Sequence, residues 1–558
     1  MTRKITKGGE FFLQLVLALL CGMVLLFPTM IQFAAMGPNF KGVPIGYIVD
    51  SLYYFARIND VVRGHLLIGN PFLWEYRQSW PVAFFVPDWL AALPAFFLPL
   101  WQALIANTLL WGIVFVLLAY HLLRRLGTTP LWSAGGAFLT LLVSYLLVMR
   151  AVSMQQVFPF FLGVMLLTWR WWQRPNGKWS FVLALFYAAS YAIYTYMFQF
   201  TAVLLVLLAI LKKSSKLLAW FLFFSVPVFF LIYFQTHQPF YWETLSRIGL
   251  VHTRLPNVQA FINAGQLLFT FWLLVLVSSS KRQSVTFLLL IGCSLLVVNF
   301  SNVITGLELE TAIHLSRLID IWRVCCVILA FSIGFPKKKL VSTLAVISLV
   351  SFLPAMIYSG KLIFPKPEND WTKIQDLAAP VAFLDARDPT PQVIWANQTV
   401  SRYVPILSKN YILYAWEAHL QLAPSAEMAE RFLLSHYFDN FTLQDVKNNL
   451  RVYAGVGPSV HQPAIINYAS KICPFCIRST TAEKLLGENY FPNLWQKYQS
   501  INDQNLPIYL AKYHVKYFVV DKNRDRWPKA IAWPKIYEDG TYLIYQIPAP
   551  TAEDGPPK

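Results

Sequence analysis

Ten long stretches of this chain run almost without charge, at about 11–36, 98–120, 131–149, 154–172, 179–211, 217–234, 261–279, 283–300, 317–334 and 340–358. Runs of this length and continuity are too many for the core of a water-soluble domain and read as membrane spans. Composition agrees. Of the 558 residues, 56% are apolar and 13% are Asp, Glu, Lys or Arg, with mean hydropathy +0.48. Soluble domains carry about 25% charged residues. Disorder, coiled coil and collagen are excluded by the same figures. The stretch 179–211 would make one helix of about 50 Å, against a hydrocarbon layer of about 30 Å. It is therefore divided into two short spans meeting near Tyr194-Thr195-Tyr196, which brings the expected count to eleven.

The positive-inside rule tests that division. With the N-terminus in the cytoplasm, the cytoplasmic pieces carry Arg3, Lys4, Lys7, Arg124, Arg125, Arg170, Arg174, Lys178, Lys212, Lys213, Lys216, Lys281, Arg282, Lys337, Lys338 and Lys339, against the single acid Glu10. Asp50, Asp60, Glu75, Asp88, Glu243, Glu308 and Glu310 fall in or beside the opposite loops. Without the split, every later loop would invert. The net charge of +18 lies almost wholly in residues 1–360, in short loops, where topology explains it. A nucleic-acid partner would need that charge gathered on a folded soluble face, so none is expected.

Residues 361–558 then form an extracytoplasmic domain after a membrane module of residues 1–360, whose first external loop spans 37–97. Strand-like runs at Gln392–Ala396, Tyr411–Ala415, Val515–Val520 and Thr541–Ile547, with helical patterns at Ser425–His436, Leu443–Leu450 and Ala482–Leu486, predict a mixed α/β or α+β fold. Cys21, Cys293, Cys325 and Cys326 read as small residues of the spans. Cys473 and Cys476, in Cys-Pro-Phe-Cys, offer a local disulfide on the oxidising side. Asn397-Gln-Thr399 is a glycosylation-type triplet on the same side.

The first external loop contains Asp50-Ser-Leu-Tyr53-Tyr54-Phe-Ala-Arg57. On a helix, Asp50, Tyr54 and Arg57 share one face, and Gly64 is a stop signal. An amphipathic interfacial helix would use the same letters. Further along, residues 82–97 hold Pro87 and Pro94 and read as a broken or re-entrant helix. Asn299 to Arg317 gathers polar groups at an external loop, including Glu308, Glu310 and His314. Asp320 and Arg323, three apart, would neutralise each other near the interface.

An N-terminal span, an Asp early in the first external loop, an Asp-x-x-Tyr-Tyr-x-Ala-Arg helix, many further spans and an external C-terminal domain resemble the GT-C superfamily of integral membrane glycosyltransferases. That group includes the oligosaccharyltransferase catalytic subunit and the protein O-mannosyltransferases. The resemblance implies transfer of a sugar from a polyprenyl-phosphate carrier to a glycan, lipid or protein acceptor at the extracytoplasmic face of the plasma (inner) membrane. It makes Asp50 the general base, or an electrostatic aid to the acceptor. Some relatives hold a divalent metal, Mg or Mn, with this acid and a second acidic motif. Here the matching region lacks a second Asp-x-Asp, and Glu308-Leu-Glu310 lies far downstream. Holding a departing phosphate needs cations or donors, for which Tyr54, Arg57, Arg150, Tyr194, Arg247, His314 and Arg317 are the candidates, with Asp88, Glu308 and Glu310 as secondary acids. The rival readings are a lipid-linked saccharide transporter or flippase, and a membrane-tethered binding or assembly protein. A transporter predicts midplane charges and two related halves, and neither pattern stands out.

Overall fold

The computed structural model describes residues 7–48, 50–277, 281–334, 339–366, 368–475, 477–525 and 532–548. The chain divides into two compact units. One comprises Met1–Gly37, Ala83–Ile232 and Pro256–Pro367, the other Pro38–Val82, Tyr233–Leu255 and Glu368–Lys558. The first loop, grouped by sequence with the membrane module, therefore folds largely as part of the C-terminal unit.

The first unit is helical. Among the described residues, six helices are long and apolar enough to cross a membrane: Lys7–Asn39, Leu100–Leu126, Pro130–Val148, Ser215–Thr236, Val258–Val277 and Arg282–Asn299. A seventh results if Lys339–Val350 and Leu353–Ile363, bent by 41°, count as one span. These helices make the chain an integral membrane protein. Met154–Gln173, Gly177–Ile193, Thr195–Leu211 and Thr311–Gly334 also form helices, but fall outside those limits. Against the expected eleven spans, six helices, or seven with the bent pair, meet the requirement among the described residues. The long apolar run breaks at Tyr194, whose backbone is extended (φ −168°, ψ 118°) between Ile193 and Thr195. Each half has 17 residues, about 25 Å at 1.5 Å per residue.

Close helix approach and buried amides hold this unit, as expected where lipid removes the hydrophobic drive between helices. A Cβ at Gly136 would stand 2.7 Å from Leu123 and 2.9 Å from Ile328, so a larger residue would have to displace those side chains. Asn263 donates to Asn299 Oδ1 (2.9 Å) and to the Ala312 carbonyl (2.7 Å), and Asn299 donates to the Ala260 carbonyl (2.8 Å). Asp320 and Arg323 do pair, at 3.1 Å, and Arg323 also reaches Ser351. Cys21, Cys325 and Cys326 are buried, whereas Cys293 is exposed.

The second unit carries a five-stranded mixed sheet ordered Tyr411–Ile412, Val393–Trp395, Val515–Asp521, Tyr542–Gln546, Lys535–Glu538. Val393–Trp395 runs parallel to its two neighbours, and the last two strands are antiparallel. The central strands are buried on both faces, which suits their near-continuous apolar letters. Of helices Gln398–Leu407 and Ser425–Ser435, the first packs against strands Val393–Trp395 and Tyr411–Ile412. Asn397 caps the first of these, accepting from Val400 N (3.0 Å) while donating to Asp525 (3.0 Å), so its amide is committed to the fold. Cys473 is disulfide-bonded; its expected partner, Cys476, lies outside the described residues.

Candidate active-site residues

In the first unit the polar residues of the sequence reading come together at the broken junction. Tyr194 Oη is hydrogen-bonded to His314 Nδ1, and Arg317 Nη1 donates to the same phenol at 3.4 Å. His314 Nε2 lies 3.4 Å from Glu310 Oε2. The imidazole stacks on Tyr196 (centroids 4.4 Å apart, planes 11°), and Tyr196 donates to the Leu309 carbonyl. The helix break thus projects two tyrosines, while Glu310, just before helix Thr311–Gly334, and His314 and Arg317 in its first two turns stand at spacings of four and three. Glu310 adopts φ +51°, a left-handed value that a non-glycine residue rarely takes.

Glu308 anchors this corner, accepting from Asn257 Nδ2 (2.9 Å) and Thr311 N (3.0 Å). The charge of Arg150 is felt at both Tyr194 and His314. Arg150 and Arg317 are half-buried; Arg150 has a partner, but Arg317 has no carboxylate within ion-pair reach among the described residues. A half-buried guanidinium without a counter-ion keeps donors open to an anion. Asp88 is buried on the short helix Val86–Ala92 that the prolines of 82–97 announced, followed by a 3-10 turn at Pro94–Phe96.

In the second unit, Asp50 occupies the N-cap position of helix Ser51–Val62 without a side-chain capping bond. A carboxylate there is favoured by the helix dipole. A Cβ at Gly46 would stand 2.5 Å from that of Ser51, so the turn leading into Asp50 needs a glycine. The helix is not an amphipathic surface element: every residue but Asn59 and Val62 is buried. Arg57 donates to Tyr53 Oη (2.9 Å), which also accepts from Gln421 (2.9 Å), and the guanidinium lies over the Tyr53 and Tyr54 rings. Tyr54 and Arg57 are therefore interior groups that fix this helix.

Arg247 is likewise interior. Its nitrogens donate to the His419 carbonyl, Ser425 Oγ, Thr244 Oγ1 and the Gln421 carbonyl at 3.3, 2.8, 2.9 and 3.2 Å. Burial draws its pKa down to about 10, against the pull of Glu243. A guanidinium so engaged serves the fold, and the expectation that it handles phosphate is withdrawn.

One acid escaped the sequence reading. Glu417 is fully buried; Arg402 Nε donates to its Oε1, and its Oε2 has no hydrogen-bond partner. Burial raises its carboxyl above the usual range, Arg402 opposes this, and the charge of Asp50 adds to it. Two acids distant in sequence thus feel each other. The signal was a single Glu within Tyr411-Ile-Leu-Tyr-Ala-Trp-Glu417-Ala.

Among the described residues, no three His, Cys, Asp or Glu side chains gather as a metal centre. Glu308 is spent on Asn257 and Thr311, and Glu310 faces His314. The donor set does not fit a resident divalent cation, and no step is routed through one.

No protein-family model and no curated protein matches the chain. Solved structures do resemble it. The apo crystal structure of the Archaeoglobus fulgidus oligosaccharyltransferase is 11% identical, at TM-score 0.44, over 91% of this chain and 69% of that one. The same enzyme, tethered by a disulfide bond to an acceptor peptide containing the NVT sequon, is 10% identical at TM-score 0.42 over the same shares.

Proposed function

We propose that the protein is a membrane glycosyltransferase, moving a sugar from a polyprenyl-phosphate-linked donor to an acceptor at the extracytoplasmic face of the plasma membrane, with its N-terminus in the cytoplasm. The observation that carries this reading is Arg317: a half-buried cation with no acid partner among the described residues, hydrogen-bonded to a phenol that is itself held by His314. Such a group stabilises the negative charge that grows on a departing phosphate. Glycosyl transfer breaks the bond between the anomeric carbon and the phosphate oxygen, whose electron pair leaves with the phosphate. The acceptor hydroxyl forms the new bond and gives up its proton, for which Asp50 is the assigned base.

The test is transfer by the full chain in reconstituted membranes, using a panel of polyprenyl-phosphate sugars and reading product and anomer together. Arg317→Ala should raise the donor KM about tenfold or more, with abundance unchanged. Transfer from no donor in the panel, or a donor response untouched by Arg317→Ala, would sink the reading.

A further inference from the structure

A second basic region of the helical unit lies far from the Tyr194 junction. We infer that it is a binding site for an anionic phospholipid, independently of any role of Arg317. The phosphodiester of the lipid sits among cations of two adjacent loops, and its acyl chains run along exposed aliphatic residues beside them.

Helices Gly177–Ile193 and Thr195–Leu211 pack against each other, with Tyr194 between them. Their outer ends, which lead into Met154–Gln173 and Ser215–Thr236, therefore lie about 25 Å of helix from Tyr194. Helix Gly177–Ile193 also touches Ser215–Thr236, through Phe181 and Trp220 (centroids 5.0 Å apart). The two outer loops are thus side by side: a Cβ at Gly177 would stand 3.9 Å from Lys216 Cδ. These loops and their flanks carry Arg170, Arg174, Lys178, Lys212, Lys213 and Lys216, all exposed. No Asp or Glu stands anywhere between Asp88 and Glu243. None of the six cations has a carboxylate within ion-pair reach among the described residues.

Topology accounts for positive charge in these loops, but not for how it is held. Arg124, in another basic loop, is paired with Glu10 at 2.8 Å. Here indole rings take the place of acids. Lys212 Nζ lies 3.9 Å from the centre of the Trp172 ring, and the Arg170 guanidinium 4.4 Å from that of Trp179. A ring attracts a cation and fixes it without cancelling its charge. Trp171 secures the floor, buried and donating to Ser180 Oγ at 2.9 Å. Helices Gly177–Ile193 and Ser215–Thr236 both begin here, and their N-termini add partial positive charge. Exposed Ile210, Leu211 and Leu218 adjoin the cations in sequence. A soluble phosphate would gain nothing from them, whereas a lipid covers both the charge and the aliphatic surface. Clusters of about four to eight Lys and Arg at the ends of spanning helices take anionic headgroups, each cation contributing about fivefold in affinity.

The test counts lipids. The full chain is assembled in nanodiscs holding equal amounts of phosphatidylglycerol and phosphatidylcholine, and the lipid retained on gentle release is read by native mass spectrometry. Phosphatidylglycerol should be retained about tenfold or more over phosphatidylcholine. Arg170→Ala combined with Lys212→Ala should bring that ratio close to one, with the thermal midpoint in pure phosphatidylcholine discs unchanged. Lys178→Gln combined with Lys216→Gln should also lower the ratio, and this pair decides if the alanine pair proves unstable. Lys281→Ala combined with Arg282→Ala removes the same charge from another basic loop and should leave the ratio nearly unchanged. Retention without preference, a preference that survives the site substitutions, or one lost equally with the Lys281 and Arg282 pair would each overturn the inference. So would displacement of the lipid by millimolar glycerol phosphate, because the loops would then serve a soluble anion.

Discussion

The two units treat their arginines in opposite ways. In the C-terminal unit, Arg247 and Arg431 are buried and saturated: Arg247 by four protein acceptors, Arg431 by Glu75, Glu427 and the Leu413 carbonyl. In the helical unit, Arg323 is paired with Asp320, and Arg317 meets only a phenol. A large soluble-type fold has enough polar groups to satisfy any buried charge, so a buried arginine there says little about ligands. A membrane module has few, and an arginine left without an acid stands out. Burial alone therefore does not mark a functional cation, nor does the lack of a carboxylate: Arg247 spends its donors on four protein acceptors, whereas Arg317 meets one phenol.

The largest expected effect concerns the acid rather than the cations. Asp50→Asn should lower transfer by about 100-fold or more, the range of a lost general base, with insertion and abundance unchanged. Side-by-side transfer and immunoblot measurements in reconstituted membranes decide it, and full transfer by the variant would remove Asp50 from the chemistry. Next comes the contrast between arginines. Arg247→Ala strands four buried acceptors and should cost about 3 kcal/mol of stability, visible as a lower thermal midpoint of the solubilised chain. Arg317→Ala should leave that midpoint nearly unchanged while weakening donor use. If the two variants exchange these signatures, the distinction drawn between the units is wrong.

What the sequence carried, and what it withheld, follows from the range of the interactions. Helix lengths measured against a bilayer were enough to place the break at Tyr194, because 33 apolar residues overshoot the hydrocarbon layer. The helix after Asp50 and its stop were also readable: Ser51–Val62 ends just before Gly64, which adopts φ +95°. The partners of that helix were not. Asn59 donates to the Pro405 carbonyl (2.8 Å), and Gln375 accepts from the backbone of Lys41 and Val43. These contacts join segments more than 300 residues apart, and no local pattern announces them. Arg247 was misjudged for the same reason, its acceptors lying mostly in residues 419–425. Glu310, His314 and Arg317 were found because they lie close together in sequence, whereas their meeting with Tyr194 depends on tertiary packing.

A smaller effect probes how the C-terminal unit handles acids. Glu430 receives Lys497 (2.6 Å), Lys512 and Tyr513. Burial alone would push its carboxyl up, but these donors outweigh it and hold the pKa at about 2, below the ordinary 4.5. The folded value is depressed, so the stability is present above pH 4.5 and drains away as pH falls toward 2. Glu430→Gln should cost about 1–2 kcal/mol at neutral pH, a modest figure because the lysines are partly solvated. It should also flatten the acid limb of a plot of thermal midpoint against pH. An unchanged acid limb would mean that other carboxylates govern that window.

The smallest effect lies at the far end of the Asp50 helix. His65 Nδ1 sits 2.7 Å from Asp60 Oδ1, and His65 N donates to the Asp60 carbonyl, closing the helix terminus. The Asp60 hydrogen bond raises the imidazole pKa, and burial opposes it. The sign is therefore opposite to that of Glu430: protonation is favoured in the folded state, the stability is complete below about pH 6.5, and it is lost as pH rises through the raised value. With the imidazole 36% exposed, the contribution should stay below about 1 kcal/mol. Hydrogen exchange over residues 58–66, corrected for the intrinsic rate, should accelerate as pH rises above about 6.5 in the native chain and not in His65→Gln. Helix Ser51–Val62 begins at Asp50, so fraying that reached its first turn would also lower transfer as pH rises; fraying confined to the last turn would leave transfer unaltered. The two readouts together decide whether this pair only closes a helix or also steadies the residue assigned to the acceptor.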